Sequence, residues 1–355
     1  MTAAPSLPPD RAPTAAPEPV AAHLDAVLLA LLAMQRQSWE QGVAAQALLD
    51  LGRTDLALLL ADAAATRQAA DGRLGEVSDD IGAVNGAACA ESVFRAAELT
   101  GERRWTTAFD RQLGWLVERG PRADDGTLYH LVTGRQVWAD TIWMVLPPLV
   151  LAGRADLALE QVAGHRRRLC DERTGLYAAR WDDDRAELVL GAHWGTGNGW
   201  VVGGIARALR LGRDWPPGGR DELAAHARGV LDACLGHRGD DGLFTDILDD
   251  PTSFPETNVA QMLAYASLTG AADGWLPPTY AELGRDLLAA AERRVDARGL
   301  VTGACGAPDF TRAGTSAEAQ AFHLLAHAAA GHRSNRLTAA RPGRPGGAGR
   351  GAPSG

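Results

Sequence analysis

Residues 134–153 read GRQVWADTIWMVLPPLVLAG, and this stretch decides the fold. A polar segment that contains Trp138 and Asp140 leads into a run without any charged residue, which ends at Gly153. A helix that is apolar on every side belongs in the interior of a protein, surrounded by other helices. A glycine just past the last turn is a common helix terminator. The stretch therefore predicts a buried helix whose polar beginning lies at one end of the molecule.

The same pattern recurs along the chain. A helical apolar pattern stops at a glycine and a short turn, and a second helical pattern follows. The terminal glycines are Gly52, Gly101, Gly153, Gly212, Gly270 and Gly331. Their intervals of roughly fifty to sixty residues indicate one structural unit repeated along the sequence. Six such units predict six helix pairs.

A second type of turn follows the second helix of each unit. It combines an acidic residue, a glycine and an apolar residue, as in DDGTLY at 124–129 and DDGLFT at 240–245, and leads into a short extended segment. Closing six pairs into a ring buries the apolar faces of all the helices. The expected fold is all-α, an (α/α)6 barrel of six helical hairpins. The amino ends of its inner helices would meet at one mouth and favour an anionic ligand.

The composition excludes several classes of protein. The chain has 355 residues, a formal net charge of −9 and a Lys+Arg total of 35. All of these are arginines, because the sequence contains no lysine. Schiff-base lysines, pyridoxal-phosphate anchoring and the phosphate-loop lysine are therefore excluded. An acidic chain is also a poor match for phosphate backbones, so we expect no nucleic-acid partner.

Cysteine and histidine give no sign of a metal site in the sequence. Cys89, Cys170, Cys234 and Cys305 lie far apart without a C-x-x-C pair, and no histidine cluster is evident at metal-ligand spacing. We predict buried thiols and no metal ligands. No stretch is apolar enough for a membrane span, and the beginning lacks the pattern of a signal peptide, so we expect a cytoplasmic protein without a membrane partner.

The two ends of the chain differ in composition from the rest. Residues 1–20 are rich in proline and alanine, and residues 333–355 are rich in arginine, glycine and proline. Segments with so few apolar side chains cannot bury enough surface to become ordered. We predict two disordered tails and a single barrel domain over residues 21–332. The sequence does not indicate an oligomeric state.

Asp140, at the start of a predicted inner helix, is the first candidate for chemistry. Aspartate at this position often only caps the helix. The indole rings of Trp138 and Trp143 would instead desolvate the carboxyl group, as a general acid requires, and we favour the catalytic role. Asp79 and Asp80 begin the preceding inner helix, and adjacent helices stand only about 8–10 Å apart. Two carboxylates would therefore share one site.

The other inner helices bring aromatic and polar side chains to the same mouth. The glycine-rich segment at 191–200 carries two tryptophans that would flank a sugar ring. Polar groups at helix starts either bind sugar hydroxyls or cap the helices, and spacing does not separate these roles. The candidate substrate-binding residues are Trp39, Glu40, Asn85, Trp138, Trp143, His193, Trp194, Thr196, Asn198, Trp200, Glu256, Asn258, Thr315 and Ser316.

Several motifs in this order resemble the unsaturated glucuronyl and rhamnogalacturonyl hydrolases of glycoside hydrolase families 88 and 105. The resemblance covers residues 25–330, and its motifs are VWADTIWM, DERTGLY, HWGTGNGW, the DDGLF turn with PETN, and GTSAEAQAF. It implies an (α/α)6 barrel that acts on small oligosaccharides left by polysaccharide lyases. These substrates carry a 4,5-unsaturated uronate at the nonreducing end. The resemblance implies no metal or organic cofactor.

The same resemblance implies a reaction and two catalytic residues. An aspartate protonates C4 of the enol ether, water adds at C5, and the unstable hemiketal opens to release the neighbouring sugar. Asp140 matches this acid through its W-A-D-T context. Asp80 is the best match for an assisting aspartate, with Asp79 or Asn85 as alternatives if the register shifts.

Two positions depart from the family pattern. Thr196 stands where the family often has arginine in W-x-R-G-N-G-W, and Ala179 stands where a histidine often follows G-L-x-x. Without that arginine, helix N–H groups and hydroxyl groups would have to hold the uronate carboxylate. We expect these to be the N–H groups after Gly197 and Asn198 and the hydroxyl groups of Thr196, Thr315 or Ser316.

Two other functions remain open. A sugar epimerase or isomerase with this architecture would need paired histidines at the mouth, where His193 is the better candidate and His130 the second. A noncatalytic carbohydrate-binding barrel would keep the tryptophans and would not need Asp140.

Overall fold

A computed structural model describes residues 18–77, 81–307 and 310–331, and this part of the chain contains twelve α-helices. They are α1 (Glu18–Met34), α2 (Ser38–Asp50), α3 (Thr54–Thr66), α4 (Ala90–Thr100), α5 (Arg103–Gly114), α6 (Thr141–Leu151), α7 (Ala155–Leu169), α8 (Gly195–Leu211), α9 (Gly219–Leu235), α10 (Thr257–Asp273), α11 (Thr279–Glu292) and α12 (Ala317–Gly331). A 3₁₀ turn at Asn85–Cys89 precedes α4, and a π-helical turn at Trp115–Arg119 follows α5.

The even-numbered helices form an inner ring, in which each helix packs against the next. Helices α3, α5, α7, α9 and α11 lie outside, each beside the inner helix that precedes it. The last inner helix, α12, packs against α1, so the two ends of the described chain form the sixth hairpin together. Contact between α12 and α2 closes the ring. The predicted (α/α)6 barrel is confirmed.

The inner helices are buried because they are apolar on nearly every side. Almost every residue of α6, α8 and α10 is buried. At the centre of the barrel, the ring of Trp143 packs edge-on against Phe322 and Trp200, with ring centroids 4.8 and 5.4 Å apart. Edge-to-face contacts of this kind are the favoured geometry for aromatic pairs. The barrel is therefore filled by side chains and leaves room for a ligand only towards its ends.

Most of the predicted terminal glycines end an inner helix. Gly101, for example, follows α4 in the left-handed conformation, with φ of 67°. The prediction is wrong for Gly270, because α10 continues past it and the left-handed cap is Gly274, with φ of 79°. A Cβ atom at Gly270 would lie 2.5 Å from Leu276. This glycine lets the following loop pack closely against α10 and does not end the helix.

Short strands connect the hairpins at the mouth of the barrel. A three-stranded antiparallel sheet has the order β1 (Gln136–Trp138), β2 (Arg180–Asp182) and β3 (Glu187–Leu190), and β4 (Phe244–Thr245) pairs with β5 (Pro255–Glu256). In the β1–β2 register, Trp138 lies opposite Arg180. The sheet thus fixes an aromatic ring and a cationic side chain next to each other, just before α6 begins.

A group of buried charges lies inside the ring, deeper than the cavity, and joins α2, α4 and α8. Arg207 of α8 is 1% exposed, and its guanidinium donates to Glu91 at 2.6 and 2.8 Å and to Asp50 at 3.1 and 3.3 Å. It also donates to the Tyr265 hydroxyl at 3.1 Å, and Arg210 forms an ion pair with Asp50 at 3.3 Å. Arg207 lies twelve positions into α8, which is about 18 Å from the mouth at 1.5 Å per residue. We call Arg207, Glu91 and Asp50 the buried charge network.

The remaining structural predictions concern thiols, membrane spans and tails. All four cysteines are free, and three of them are buried, whereas Cys170 is only partly buried. No helix in residues 18–77, 81–307 and 310–331 is long and apolar enough to cross a membrane. The predicted tails fall largely outside the described residues, although α1 already begins at Glu18, within the predicted tail at 1–20.

Candidate active site

A cavity of about 340 Å³ lies where the inner helices begin. Helices α2, α6, α8 and α12 and the 3₁₀ turn before α4 bring side chains to it. Its aromatic walls are Trp39, Trp138, Trp194, Trp200 and Phe310, and its polar side chains are Gln37, Asn85, His130, Asp140, Arg180 and Glu318. Aromatic walls with a few polar groups are typical of sites that bind small molecules.

Asp140 directs its carboxyl group to this cavity. It occupies the position before the first residue of α6, yet its side chain makes no capping hydrogen bond. The side chain is 18% exposed, and Oδ1 lies 3.4 Å from Nδ1 of His130. The same His130 nitrogen lies 2.9 Å from the Thr141 hydroxyl. Of the two roles that the sequence left open for Asp140, the geometry favours a group that faces a ligand.

His130, Trp138 and Arg180 form a stack beside Asp140. The rings of His130 and Trp138 are nearly parallel, at an interplanar angle of 6° and a centroid distance of 4.2 Å. The guanidinium carbon of Arg180 lies 3.8 Å from the centroid of the Trp138 ring. The strand register that places Trp138 opposite Arg180 holds this cation–π contact in place.

Arg180 supplies positive charge to the cavity. Among the described residues that line the cavity, it is the one with a permanent positive charge. No hydrogen bond or ion pair joins its guanidinium to another residue of the described ranges. Five N–H donors are therefore available to an anionic group of a ligand. The sequence had suggested helix N–H groups and hydroxyls for this task.

Glu318, the second residue of α12, brings another carboxyl group to the cavity. Its Oε1 accepts a hydrogen bond from Nε1 of Trp39 at 2.8 Å. Burial, together with the negative charge of Glu40, raises the pKa of Glu318 to about 7. Near neutral pH, Glu318 is therefore partly protonated and able to donate a hydrogen bond or a proton.

Two residues of the predicted site lie away from the cavity. Trp143 is fully buried at the barrel centre, where its Nε1 donates to Oε1 of Gln46 at 2.9 Å. It therefore does not desolvate Asp140 at the mouth. Glu40 accepts the backbone N–H of Gln37 at 2.8 Å and completes a capping box at the start of α2. In this structure helix capping occupies the carboxylate, and the place of Glu40 in the substrate site stays a prediction.

His193 and Asn198 are also held by other parts of the protein. Nδ1 of His193 lies 2.7 Å from Oδ2 of Asp249, outside the cavity lining. The Asn198 side chain is fully buried and exchanges hydrogen bonds with the backbone of Tyr177 at 2.8 and 2.9 Å. The Asn198 N–H is itself used, because it donates to the Trp194 carbonyl. That the N–H group holds the uronate stays a prediction, although it is used within the helix in this structure.

Thr196 and Glu256 belong to a buried contact between α8, the start of α10 and the loop that joins α11 to α12. The Thr196 hydroxyl lies 3.8 Å from the sulfur of Cys305. Glu256 is fully buried and accepts backbone N–H groups from Val259 and Cys305, both at 2.9 Å. Burial raises the pKa of Glu256 to about 8. Neither residue lines the cavity, and their contact with the substrate stays a prediction.

The last three predicted binding residues are likewise outside the cavity lining. Asn258 is buried in α10. The Thr315 side chain is exposed, with its hydroxyl 3.6 Å from the sulfur of Met34. The Ser316 hydroxyl accepts the N–H of Ala319 at 3.1 Å, as a helix cap does. These hydroxyl and amide side chains near the mouth therefore lie outside the cavity lining in this structure.

Asp79 and Asp80 lie outside the described residues, so their predicted roles stay predictions. The next two residues in sequence, Ile81 and Gly82, line the cavity. Asn85, the alternative to Asp80, also lines it and is 7% exposed. The described residues that follow this pair in the sequence therefore form part of the cavity wall.

Sequence reasoning missed five of the aromatic and polar side chains at the cavity: Gln37, His130, Arg180, Glu318 and Phe310. His130 had been weighed only as a second histidine for an epimerase. Glu318 had a usable signal, since it stands in the first turn of a predicted inner helix, as Glu40 does. Arg180 and His130 had none, because they reach the cavity through strand pairing and stacking on Trp138.

The fold and this cavity define the class of the protein. The sequence profile described as Glycosyl Hydrolase Family 88 matches residues 19–317. The chain belongs to this family, and the resemblance inferred from the motifs is confirmed.

Individual relatives agree with this assignment. The unsaturated rhamnogalacturonyl hydrolase YesR of Bacillus subtilis (strain 168) is 27% identical over 199 residues, which is 52% of this chain and 58% of the relative. The match therefore spans less than two thirds of that curated relative.

Two solved structures share the fold. A possible member of the GH105 family from Salmonella enterica superposes with a TM-score of 0.77 and 20% identity, covering 90% of this chain and 96% of that one. A glycosyl hydrolase family 88 protein from Bacteroides vulgatus gives a TM-score of 0.71 and 15% identity, covering 88% and 98%.

Proposed function

We propose that the protein removes a 4,5-unsaturated uronic acid from the nonreducing end of lyase-generated oligosaccharides, by hydration of the enol-ether double bond. The observation that carries the proposal is the position of the Asp140 carboxyl group. It makes no capping hydrogen bond to α6 and faces a cavity beside His130 and Arg180. Family membership and the name of the Bacillus relative support the same reaction class.

Asp140 acts as acid and then as base in this proposal. Its carboxyl proton is transferred to C4 as the double bond breaks. The resulting carboxylate accepts a proton from the water molecule that adds at C5. The hemiketal formed at C5 then opens and releases the neighbouring sugar. His130, 3.4 Å from Asp140, positions the carboxyl group in this proposal.

Arg180 receives the uronate carboxylate. It follows Ala179, where the family often has histidine, and it offers the charge that Thr196 does not supply. A guanidinium matches a carboxylate with two parallel hydrogen bonds. Because Trp138 fixes the guanidinium from one side, little further ordering is needed when the carboxylate binds. The chain thus replaces one family cation with a different one from β2.

The aromatic walls suit the faces of sugar rings, which stack on indole groups. An epimerase is less well supported, because His130 is the one histidine among the described residues that line the cavity. Asp80, as the assisting aspartate, remains part of the proposal. Glu318 is a further carboxyl group that would contact sugar hydroxyls.

The decisive experiment uses a panel of lyase-generated disaccharides. We expect the enol-uronate ultraviolet absorbance to fall in step with release of the neighbouring sugar. A matched panel with saturated uronates should not be cleaved, because the proposed reaction needs the double bond. Cleavage of saturated substrates would point instead to a conventional glycosidase. Binding without any turnover would favour a carbohydrate-binding barrel.

A further inference from the structure

Three histidines and a glutamate meet between α1, α11 and α12. His323 and His327 lie one turn apart on α12, His23 lies on α1, and Glu292 is the last residue of α11. None of them lines the cavity. The absence of a histidine cluster, expected from the sequence, is therefore wrong: the i, i+4 pair on α12 was overlooked, and the other two members arrive through the fold.

The ligand atoms lie close enough to share one ion. Nε2 of His23 is 2.7 Å from Oε1 of Glu292, and Nε2 of His323 is 3.2 Å from Oε2. The candidate ligand atoms of these three residues all lie within 4.8 Å of one another. Tetrahedral zinc ligands at 2.0–2.1 Å from the metal are about 3.3 Å apart, so only small movements are needed.

Two of these nitrogen atoms lack a proper partner. Nε2 of His323 and Nε2 of His23 are buried atoms without a hydrogen bond of acceptable geometry among the described residues, in spite of their short distances to Glu292. The His323 side chain is fully buried. An unsatisfied buried polar atom is unfavourable, and a bound cation would satisfy both nitrogens at once.

Gln261 completes the surroundings of His323. Its amide nitrogen lies 3.1 Å from Nδ1 of His323, and its Oε1 has no partner among the described residues. Rotating the amide by half a turn lets Oε1 accept a hydrogen bond from Nδ1–H. That tautomer leaves the lone pair on Nε2 for a metal, which is the usual second contact of a metal-binding histidine.

We propose that His23, Glu292 and His323 bind one divalent transition-metal ion, and that Zn²⁺ is the ion favoured by two imidazoles and a carboxylate. His327, 2.9 Å from Oε2 of Glu292, positions that carboxylate. The ion would join α1, α11 and α12, and so would tie the two ends of the described chain together. The role is structural and independent of the reaction at the mouth.

The test uses the full chain without a histidine tag, stripped with a chelator and then titrated with Zn²⁺ by calorimetry. We expect one ion per chain and a higher melting temperature in the loaded protein. His23→Gln should weaken Zn²⁺ binding at least about tenfold. His237→Gln, an exposed histidine outside the cluster, is the matched control and should bind as the wild type does.

The visible spectrum of bound Co²⁺ gives a second readout, which can be recorded on the wild type alone. We expect the wild type to show intense visible absorption bands of low-coordinate Co²⁺ and Glu292→Gln to lose them. The proposal is overturned if the stripped wild type takes up no stoichiometric ion, or if His23→Gln and Glu292→Gln both bind like the wild type. Should both variants fail to fold, the wild-type cobalt spectrum decides: an octahedral, weakly absorbing spectrum rejects the site.

Discussion

Arg207 and Arg180 lie towards opposite ends of the barrel and have opposite surroundings. Arg207 is 1% exposed, and its guanidinium is matched by Glu91, Asp50 and the Tyr265 hydroxyl. Arg180 touches the face of Trp138 and has no hydrogen bond or ion pair with another described residue. A buried charge has to be paired to be tolerated. A charged group that binds a ligand instead lies at the edge of a cavity, with its hydrogen-bond donors unpaired.

This difference between the two arginines indicates that residues important for stability and residues important for binding lie in different parts of the barrel. The charges of the buried charge network already have partners inside the ring, so changes there should reduce the free energy of unfolding. The mouth holds Asp140, Arg180 and Glu318, whose substitution should alter activity while the fold persists.

The largest expected effect is on turnover. Asp140→Asn should lower kcat about 10²–10⁴-fold, because the amide cannot transfer the proton to C4. Its melting temperature should stay close to that of the wild type. Steady-state kinetics by ultraviolet absorbance, with circular dichroism for the fold, provides the measurement. Asp214→Asn, an exposed aspartate towards the far end, serves as the control, and near-normal kcat in Asp140→Asn would remove Asp140 from the mechanism.

The next effect falls on stability. Arg207→Met should lower the free energy of unfolding by about 3–5 kcal/mol, because Glu91 and Asp50 lose the cation that compensates them. Urea denaturation measures this loss. Arg207→Met combined with Glu91→Met should recover part of it, since fewer unpaired charges then remain buried. An unchanged unfolding midpoint in Arg207→Met would erase the proposed difference between the two arginines.

Arg180→Met should leave the melting temperature nearly unchanged and raise KM for an unsaturated uronate about 10–100-fold. This range corresponds to a charged hydrogen-bonded contact of about 1.5–3 kcal/mol. Arg185→Met, an exposed arginine in the same hairpin, is the matched control. A uronate methyl ester sharpens the test: esterification should weaken the wild type and have little further effect on Arg180→Met. If esterification weakens binding equally in the wild type and in Arg180→Met, the uronate carboxylate does not bind to Arg180.

The smallest effect concerns pH. Burial and Glu40 raise the pKa of Glu318 to about 7, and burial raises that of Glu256 to about 8. A carboxyl group with a raised pKa stabilises the fold fully below its ordinary pKa, near 4.5, and this contribution is lost as the pH rises through the raised value. His165 and His226, whose pKa burial lowers to about 4, act in the opposite direction up to about pH 6.5. The melting temperature should therefore fall between about pH 6.5 and pH 8.

Glu318→Gln should flatten this decline by removing one of the two groups. The exposed Glu282→Gln should follow the wild-type curve. Thermal melts across the pH range compare the three proteins. If Glu318→Gln and the wild type show the same slope, Glu318 does not titrate in the way that its burial suggests.

The sequence was a good guide to the helices because each inner helix has its own local signals. The apolar run after Asp140 and the left-handed glycine at Gly101 are features of single segments, and they survive in the structure. Gly270 misled because a glycine also permits close packing, which only the fold reveals. The outer partner of α12 was not predicted, since it comes from the other end of the chain.

The candidate site was harder to predict because the same side chains cap helices and bind sugars. Ser316 and Glu40 occupy helix starts and are used there as caps. The sequence suggested that Asn198 contacts the ligand, whereas its side chain forms hydrogen bonds with the Tyr177 backbone. Arg180 depends on the pairing of β1 with β2, a contact between segments more than forty residues apart.

The sixth hairpin, built from α12 and α1, has a consequence for biosynthesis. Val27 and Leu31 of α1 are fully buried in the finished barrel, but their partner helix is among the last parts of the described chain to leave the ribosome. At about 5–20 residues per second, the intervening segment takes roughly 15–60 s to translate. During that interval α1 is an emerged apolar helix without its native neighbour. The ring therefore closes only after α12 has emerged, and α1 is the segment for which we expect the longest engagement with chaperones.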